Sequence, residues 1–312
     1  LGENVSGKNV SGEGMSGESM SLKTKFAAAL LGATTLFQSL CLLAQPLHFS
    51  SAGQATDVLE LFTSQGCHSC PPADRFFTSL KSRDGLFSEF IPVAFHVDYW
   101  NYLGWRDHFS RSEFTFRQRK HQIEGHINSV YTPGFVVNRK EWRGFFKHKK
   151  HWPVSRLKAG VLSADVTINL DNDWKNRQQN NQLIANYKPH SDLLESVANA
   201  PNSLTLYVAY LGMGLNTSVS RGENRGKHLH HDFVVLNMQR FSSGNTTSSP
   251  TLNPSVSTDI QYRWSGALAT IPQRQQQSTA IAMWVSPENS NAIWQATGGY
   301  LAPDSPVFNA ER

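Results

Sequence analysis

Cys67-His68-Ser69-Cys70 is the segment whose residue types and spacing are best suited to chemistry. Two intervening residues let the sulfurs bond to each other across one turn of chain. Val58-Leu59-Glu60-Leu61-Phe62 reads as a short apolar strand before it, and Asp74 to Lys81 as a helix after it, with Phe76, Phe77 and Leu80 on one side. Pro71 and Pro72 are tolerated in a first helical turn, so the helix is expected to start close to Cys70. A helix N-terminus aims unpaired N–H groups and a partial positive charge at the first sulfur, which favours the thiolate. Cys67 is then the exposed attacking sulfur and Cys70 the more buried resolving one, as exchange through a mixed disulfide requires. His68, when protonated, adds positive charge beside Cys67. The plainer alternative is a static structural disulfide.

Four further groups of residues bear on this site. Tyr131-Thr132-Pro133 precedes the strand-like Phe135-Val136-Val137, and a proline there can take a cis peptide bond at little cost. In a thioredoxin-like fold such a proline faces the C-x-x-C and leaves the preceding backbone, here that of Thr132, free to pair with an extended substrate. Glu60 lies inside an apolar strand, where an ionised carboxylate is costly unless paired. Thioredoxins place a buried acid on the corresponding strand, where it relays protons to the resolving cysteine, and this likeness makes Glu60 a general-base candidate; the alternative is an ion pair with a nearby basic residue. His96 and Asp98, two apart in the strand-like Ile91–Tyr99, share a face. Asp98 is expected either to orient His96 or, with it, to satisfy buried backbone. The aromatic run from Tyr99 to Trp105, with Trp100 as the substrate-facing candidate, lines a groove or packs into the core.

The elements that must hold these residues alternate between strand-like and helix-like stretches from about 56 to 158, with a polar helix at Ser112 to Glu124. This alternation predicts an α/β layered domain over 53–160. From 161 to 312, short apolar or alternating runs at Val161–Leu170, Gln182–Tyr187, Leu204–Leu211, Phe233–Met238, Ile260–Trp264 and Thr279–Val285 predict an antiparallel, sandwich-like β domain. Ser242 to Ser257 reads as a long polar loop. Charge divides with texture: residues 57–160 carry 16 basic and 10 acidic residues, net +6, against 10 and 11, net −1, for 161–312. The run Lys147-His148-Lys149-Lys150-His151 accompanies no nucleic-acid motif and is expected to be a solvated face. His228, His230 and His231 read as part of a charged hairpin, since alternation turns His231 away from the other two, and no metal or other cofactor is expected.

The 312 residues are 39% hydrophobic and 17% charged, with 18 Phe, 8 Trp and 8 Tyr, which suits a packed core and excludes global disorder. Three cysteines exclude a multi-disulfide scaffold and a four-cysteine zinc site. Residues 1–20 repeat Ser-Gly units and are expected to be disordered. Met20, Lys23 and Lys25, then an apolar run from Phe26 to about Leu43, read over 21–52 as a secretory signal and short linker, cut near Ala44 or Ala52. A single membrane anchor is the alternative. Leu40 before Cys41 argues against lipoprotein processing. Export would place the mature chain in the periplasm or outside the cell, with no integral membrane domain, where a disulfide persists.

At these residues the chain resembles a known group. The run from Leu59 through Gly66-Cys67-His68-Ser69-Cys70-Pro71-Pro72-Ala73-Asp74 is similar to the signature of domain-of-unknown-function family 1223, as are Phe95-His96-Val97-Asp98-Tyr99-Trp100, Gly104-Trp105, Tyr131-Thr132-Pro133 and Gly222-Glu223-Asn224. The resemblance implies exported bacterial proteins with a thioredoxin-like domain, a central mixed sheet flanked by helices, and a β-rich extension. It supplies no activity. The residues themselves point to thiol–disulfide exchange with protein thiols or disulfides. The alternative is a binding module for a soft metal or a protein partner, holding a structural disulfide.

Overall fold

Residues 45–168, 181–196, 203–243 and 260–301 are described by a computed structural model. The expected disordered segment, residues 21–44 of the signal segment with Cys41, and most of the polar loop lie outside them. The strands are β1 (Leu47–Ser50), β2 (Asp57–Thr63), β3 (Phe90–His96), β4 (Gly134–Val137), β5 (Lys140–Glu141), β6 (Gly160–Thr167), β7 (Gln182–Pro189), β8 (Leu204–Met213), β9 (Leu215–Ser218), β10 (His228–His231), β11 (Val234–Ser242), β12 (Tyr262–Ala267), β13 (Ser278–Pro287) and β14 (Gln295–Tyr300). The helices are α1 (Pro71–Ser79), α2 (Ser112–Ile123) and α3 (Ser191–Ser196). The fold is mixed α/β, with sheets dominating and few helices.

Eight strands form one mixed sheet in the order β14-β13-β8-β11-β3-β2-β4-β5. β2 and β3 are apolar runs with every residue buried, and they pair in parallel. Parallel strands need cover on both faces, which explains why neither run alternates. α1 covers one face, where Thr63 bonds Asp74. α2 covers the other, where Arg117 and His121 reach Glu60. Apart from Phe114, the buried side of α2 is polar (Thr115, Arg117, Gln118, His121), because most of its work is to satisfy buried polar groups rather than to bury an apolar stripe.

A second, antiparallel sheet has the order β1-β6-β7-β12. β6 and β7 alternate buried and more exposed residues, as expected of strands with one wet face. The inner face packs on β8 and β13: Leu206, Val208, Tyr210, Ile281, Met283 and Val285 share a core with Leu162, Val166, Leu183 and Tyr262. The intervening residues Tyr207, Ala209, Leu211, Ala282 and Trp284 belong to the other core, with β2 and β3.

Two sequence boundaries change. The eight-stranded sheet takes strands from both sides of residue 160, so the division there does not separate two sheets, and the described residues from Pro46 onward form one compact unit. Residues 47–50, expected within a signal and linker, are an edge strand: Leu47–Ser50 pairs antiparallel with Ser163–Val166. A cut at Ala52 would remove that strand; one at Ala44 would not. Among the described residues no helix is long and apolar enough to cross a membrane.

Trp284 is fully buried and stacks on Tyr207 at 5.5 Å, beneath the Arg117 guanidinium. Trp284→Ala is expected to lower unfolding free energy by about 3–5 kcal/mol, read from urea denaturation.

Candidate functional site

The chain leaves β2 through the turn Ser64–Cys67, where the Cys67 N–H donates to Ser64 O (3.1 Å), and enters α1 through a second turn, from Cys70 N to Cys67 O (3.2 Å). Cys67 and Cys70 are joined as a disulfide, their Cα atoms 5.4 Å apart. Two expectations need correction. Cys67 is not exposed: it is 1% accessible and Cys70 0%, while His68 and Ser69 face solvent. Nor does α1 aim free N–H groups at Cys67. The helix starts after both cysteines, Pro71 and Pro72 have no N–H, and the N–H groups of Ala73 and Asp74 both donate to Cys70 O. The remaining polar neighbour of Cys67 Sγ is the Ser69 hydroxyl, at 3.4 Å.

A loop more than 150 residues away is bonded onto the cysteine turn. Asn224, itself wholly buried, donates from Nδ2 to Gln65 O (2.8 Å) and to Cys67 O (2.9 Å). Glu223 Oε2 accepts from the His68 N–H (3.0 Å), so a carboxylate stands beside the loop that His68 was expected to make positive. Gly222 sits at φ +73, and a Cβ there would come within 3.2 Å of Trp105, which accounts for glycine at that position.

The Thr132–Pro133 peptide is cis and leads directly into β4. Trp100 links it to the cysteine loop. Its indole N–H donates to Thr132 Oγ1 (2.7 Å), and its Cβ lies 3.0 Å from where a side chain on Gly66 would begin. The aromatic run is neither all core nor an open groove. Trp100 and Trp105 are half-buried, with Trp105 Nε1 bonded to Gln65 Oε1 (3.0 Å), while Tyr102 is exposed.

Glu60 takes the second of its two readings. Thr63 faces α1, and a residue three earlier on a strand faces the opposite side. There Glu60 Oε2 accepts from Arg117 Nε (2.5 Å) and lies 3.1 Å from His121 Nε2. Burial alone would raise its carboxyl, but Arg117 and then His121 overcome this and hold it at about 2. An acid this firmly ionised, on the far face from α1, is not a proton relay to Cys70.

Asp98 does not orient His96. β3 ends at His96, the face-sharing rule lapses there, and Asp98 Oδ1 instead accepts from Thr115 (2.6 Å). The partner of His96 is Asp107, at 2.7 Å, whose carboxylate also accepts from the N–H groups of Gln65 and Phe109. Burial opposes both charges, yet each keeps the other ionised: Asp107 lies below its ordinary value and His96 above its own. His231 stacks edge-on against His96, with ring centroids 5.0 Å apart. Burial, then the His96 charge, pushes it down to about 3, so it is neutral. Its Nδ1 is 3.6 Å from Asp74 Oδ2, too long for a hydrogen bond, and an uncharged ring makes no ion pair. Asp74 is buried, and burial pushes its carboxyl up to about 7 against the opposing pull of His96 and the Thr63 hydroxyl. Asp107 and His231 escape sequence reasoning because their partners are 11 and more than 130 residues away. Asp74 stood inside the signature but no spacing singled it out. His228 and His230 lie on the β9–β10 hairpin, as expected. Among the described residues no cluster of three His, Cys, Asp or Glu is arranged to hold a metal ion.

The Glu60–Arg117 pair makes a testable prediction. A carboxyl held below its unfolded value stabilises the fold above that value and loses the contribution as pH falls through its folded one. Wild-type stability is therefore expected to decline from about pH 4.5 to about pH 2 on this account. Glu60→Gln strands a buried guanidinium and is expected to cost about 3 kcal/mol near neutrality. It is also expected to flatten that acid decline, both read from urea denaturation across pH.

No curated protein matches the chain. Among solved structures it is similar to a crystal structure of a protein from Agrobacterium tumefaciens, with 20% identity, a TM-score of 0.48, and 79% of this chain and 95% of that one covered. It is also similar to HBP35 of Porphyromonas gingivalis, with 15% identity, a TM-score of 0.46, and 80% and 76% covered. The profile described as protein of unknown function (DUF1223) matches residues 58–282. That span exceeds half of the sequence, and the chain belongs to the DUF1223 family.

Proposed function

We propose that this protein is a thioredoxin-like thiol–disulfide oxidoreductase acting in the periplasm or outside the cell. The observation that carries the reading is the Cys67–Cys70 disulfide at the strand-to-helix junction, with Trp100 between it and Thr132-Pro133. A substrate thiolate attacks Cys67 Sγ, the S–S bond breaks, and the electron pair leaves on Cys70 Sγ. A second substrate thiolate then attacks the substrate sulfur of the mixed disulfide and frees Cys67. Two electrons have passed from substrate to protein, and the reverse sequence reduces a substrate disulfide. Thr132, Pro133, Trp100 and His68 are the substrate-facing residues of this reading.

The burial of both sulfurs favours a second reading, a binding module with a structural disulfide, whose reduced cysteines would suit a soft metal. A redox titration against glutathione separates the two. Exchange-active pairs lie between roughly −270 and −120 mV, and structural ones below about −300 mV. The first reading expects the upper range, and a value in the lower one rejects it. Cys70→Ala, mixed with a peptide disulfide, is expected to accumulate a mixed disulfide on Cys67, detected by mass. Cys67→Ala is expected to give no such adduct. No adduct on Cys70→Ala would count against exchange altogether.

A further inference from the structure

We infer that Asp74 is the acid that protonates the Cys70 sulfur when the disulfide opens. The inference rests on the exchange reading above. When Cys67 is attacked, Cys70 must accept an electron pair inside the protein, where its accessibility is 0%. A buried, unpaired anion is costly, so it must be stabilised by donors or neutralised by a proton. Donors are lacking. The two prolines opening α1 carry no N–H, and those of Ala73 and Asp74 are spent on the Cys70 carbonyl. Neutralisation remains.

Asp74 is placed for it. Cys70 has helical backbone angles and the Asp74 N–H closes the first helical bond onto its carbonyl. Residues four apart in this way share a face, with Cβ atoms about 5–6 Å apart. One carboxyl oxygen, Oδ1, accepts from the Thr63 hydroxyl at 2.8 Å. The other, Oδ2, is buried without a hydrogen-bond partner, which leaves it free to carry the proton. The groups facing it leave one proton in play near neutrality. His96 and Asp107 neutralise each other, His231 on β10 is uncharged, and Arg75 on α1 adds a distant positive charge. The step balances: the S–S bond breaks, Cys67 bonds to the substrate sulfur, the proton moves from Asp74 to Cys70, and Asp74 is left as a carboxylate to be reprotonated from solvent.

The test is the rate at which dithiothreitol opens the disulfide in the full chain, corrected at each pH for the thiolate fraction of the reagent. In the wild type the corrected rate is expected to be level below about pH 7 and to fall above it, as Asp74 loses its proton. Asp74→Asn, which cannot donate an acidic proton, is expected to be slower at pH 6 by about 10²-fold and to lose the break. Thr63→Val keeps the acid but removes the hydroxyl that favours its ionised form, so its break is expected at higher pH. That variant and the wild type carry the test if Asp74→Asn does not fold. A wild-type profile without a break, or an Asp74→Asn profile that keeps it, overturns the inference and leaves exchange standing. A disulfide that dithiothreitol never opens in the native protein overturns both.

Discussion

The site exists because the chain returns, late in its course, to lie beside β3. β11 pairs in parallel with β3 through a single register pair, Val234 with Ala94, and the Ala94 N–H donates to Phe233 O at 2.8 Å. That short seam decides where the preceding hairpin falls. It brings His231 against His96 and the Gly222–Asn224 loop over the cysteines. The side chain of Phe233 is fully buried against Phe77 of α1, so helix and seam brace each other. Residues 56–158 alone would lack both the Asn224 bonds to the cysteine turn and the His231 ring beside Asp74.

The two faces of the large sheet treat a buried acid in opposite ways, and partners decide which. On the α2 face Glu60 meets a guanidinium and an imidazole, and their attraction exceeds the loss of water. Arg117 is itself held over Phe95 and Trp284 and has few ways to leave. On the α1 face the charged imidazole of His96 is claimed by Asp107 at 2.7 Å. Asp74 receives a hydroxyl and a neutral ring, and its proton is retained to a much higher pH. The first acid is a structural brace and the second a titrating group, although both sit in apolar surroundings a few residues from the cysteine loop.

Much of the scaffold was legible in the sequence because continuous apolar runs and period-2 alternation are local signals. β2, β3, α2, β4, β6, β7, β8, β11 and β13 all lie where the pattern placed them, within a few residues. The short strands β9 and β14 and the edge strand β1 were not read as strands, since four to six ordinary residues become one only through a pairing partner. The cysteine pair and the Thr-Pro step were legible from residue type and spacing. The state of each was not. Exposure of Cys67 was argued from its role as the attacking sulfur, but Asn224 and its loop are bonded onto the cysteine turn. The reach of the helix dipole was argued from a helix start, but the prolines that mark that start also remove its donors. Strand geometry paired Asp98 with His96, but the strand stops at His96, two residues short of Asp98. For the cover of the cysteine loop and the partner of His96 the deciding group is distant in sequence, and no local pattern encodes it.

β8 shows what such a sheet demands of its central strand. All ten residues from Leu204 to Met213 are buried, so no polar face distinguishes one side from the other. Slippage by one position usually exposes apolar groups to water and is rejected on that ground. Here it would only exchange two interiors, and the rejection must come from volume. Tyr207 lies opposite Trp284 and Ala209 opposite Ala282, large against large and small against small, while the reverse side sets Val208 against Met283 and Tyr210 against Ile281. Sliding the strand would drive bulky rings into gaps sized for a methyl group and leave voids where the rings had been. The alignment of this strand is therefore written in side-chain size rather than polarity.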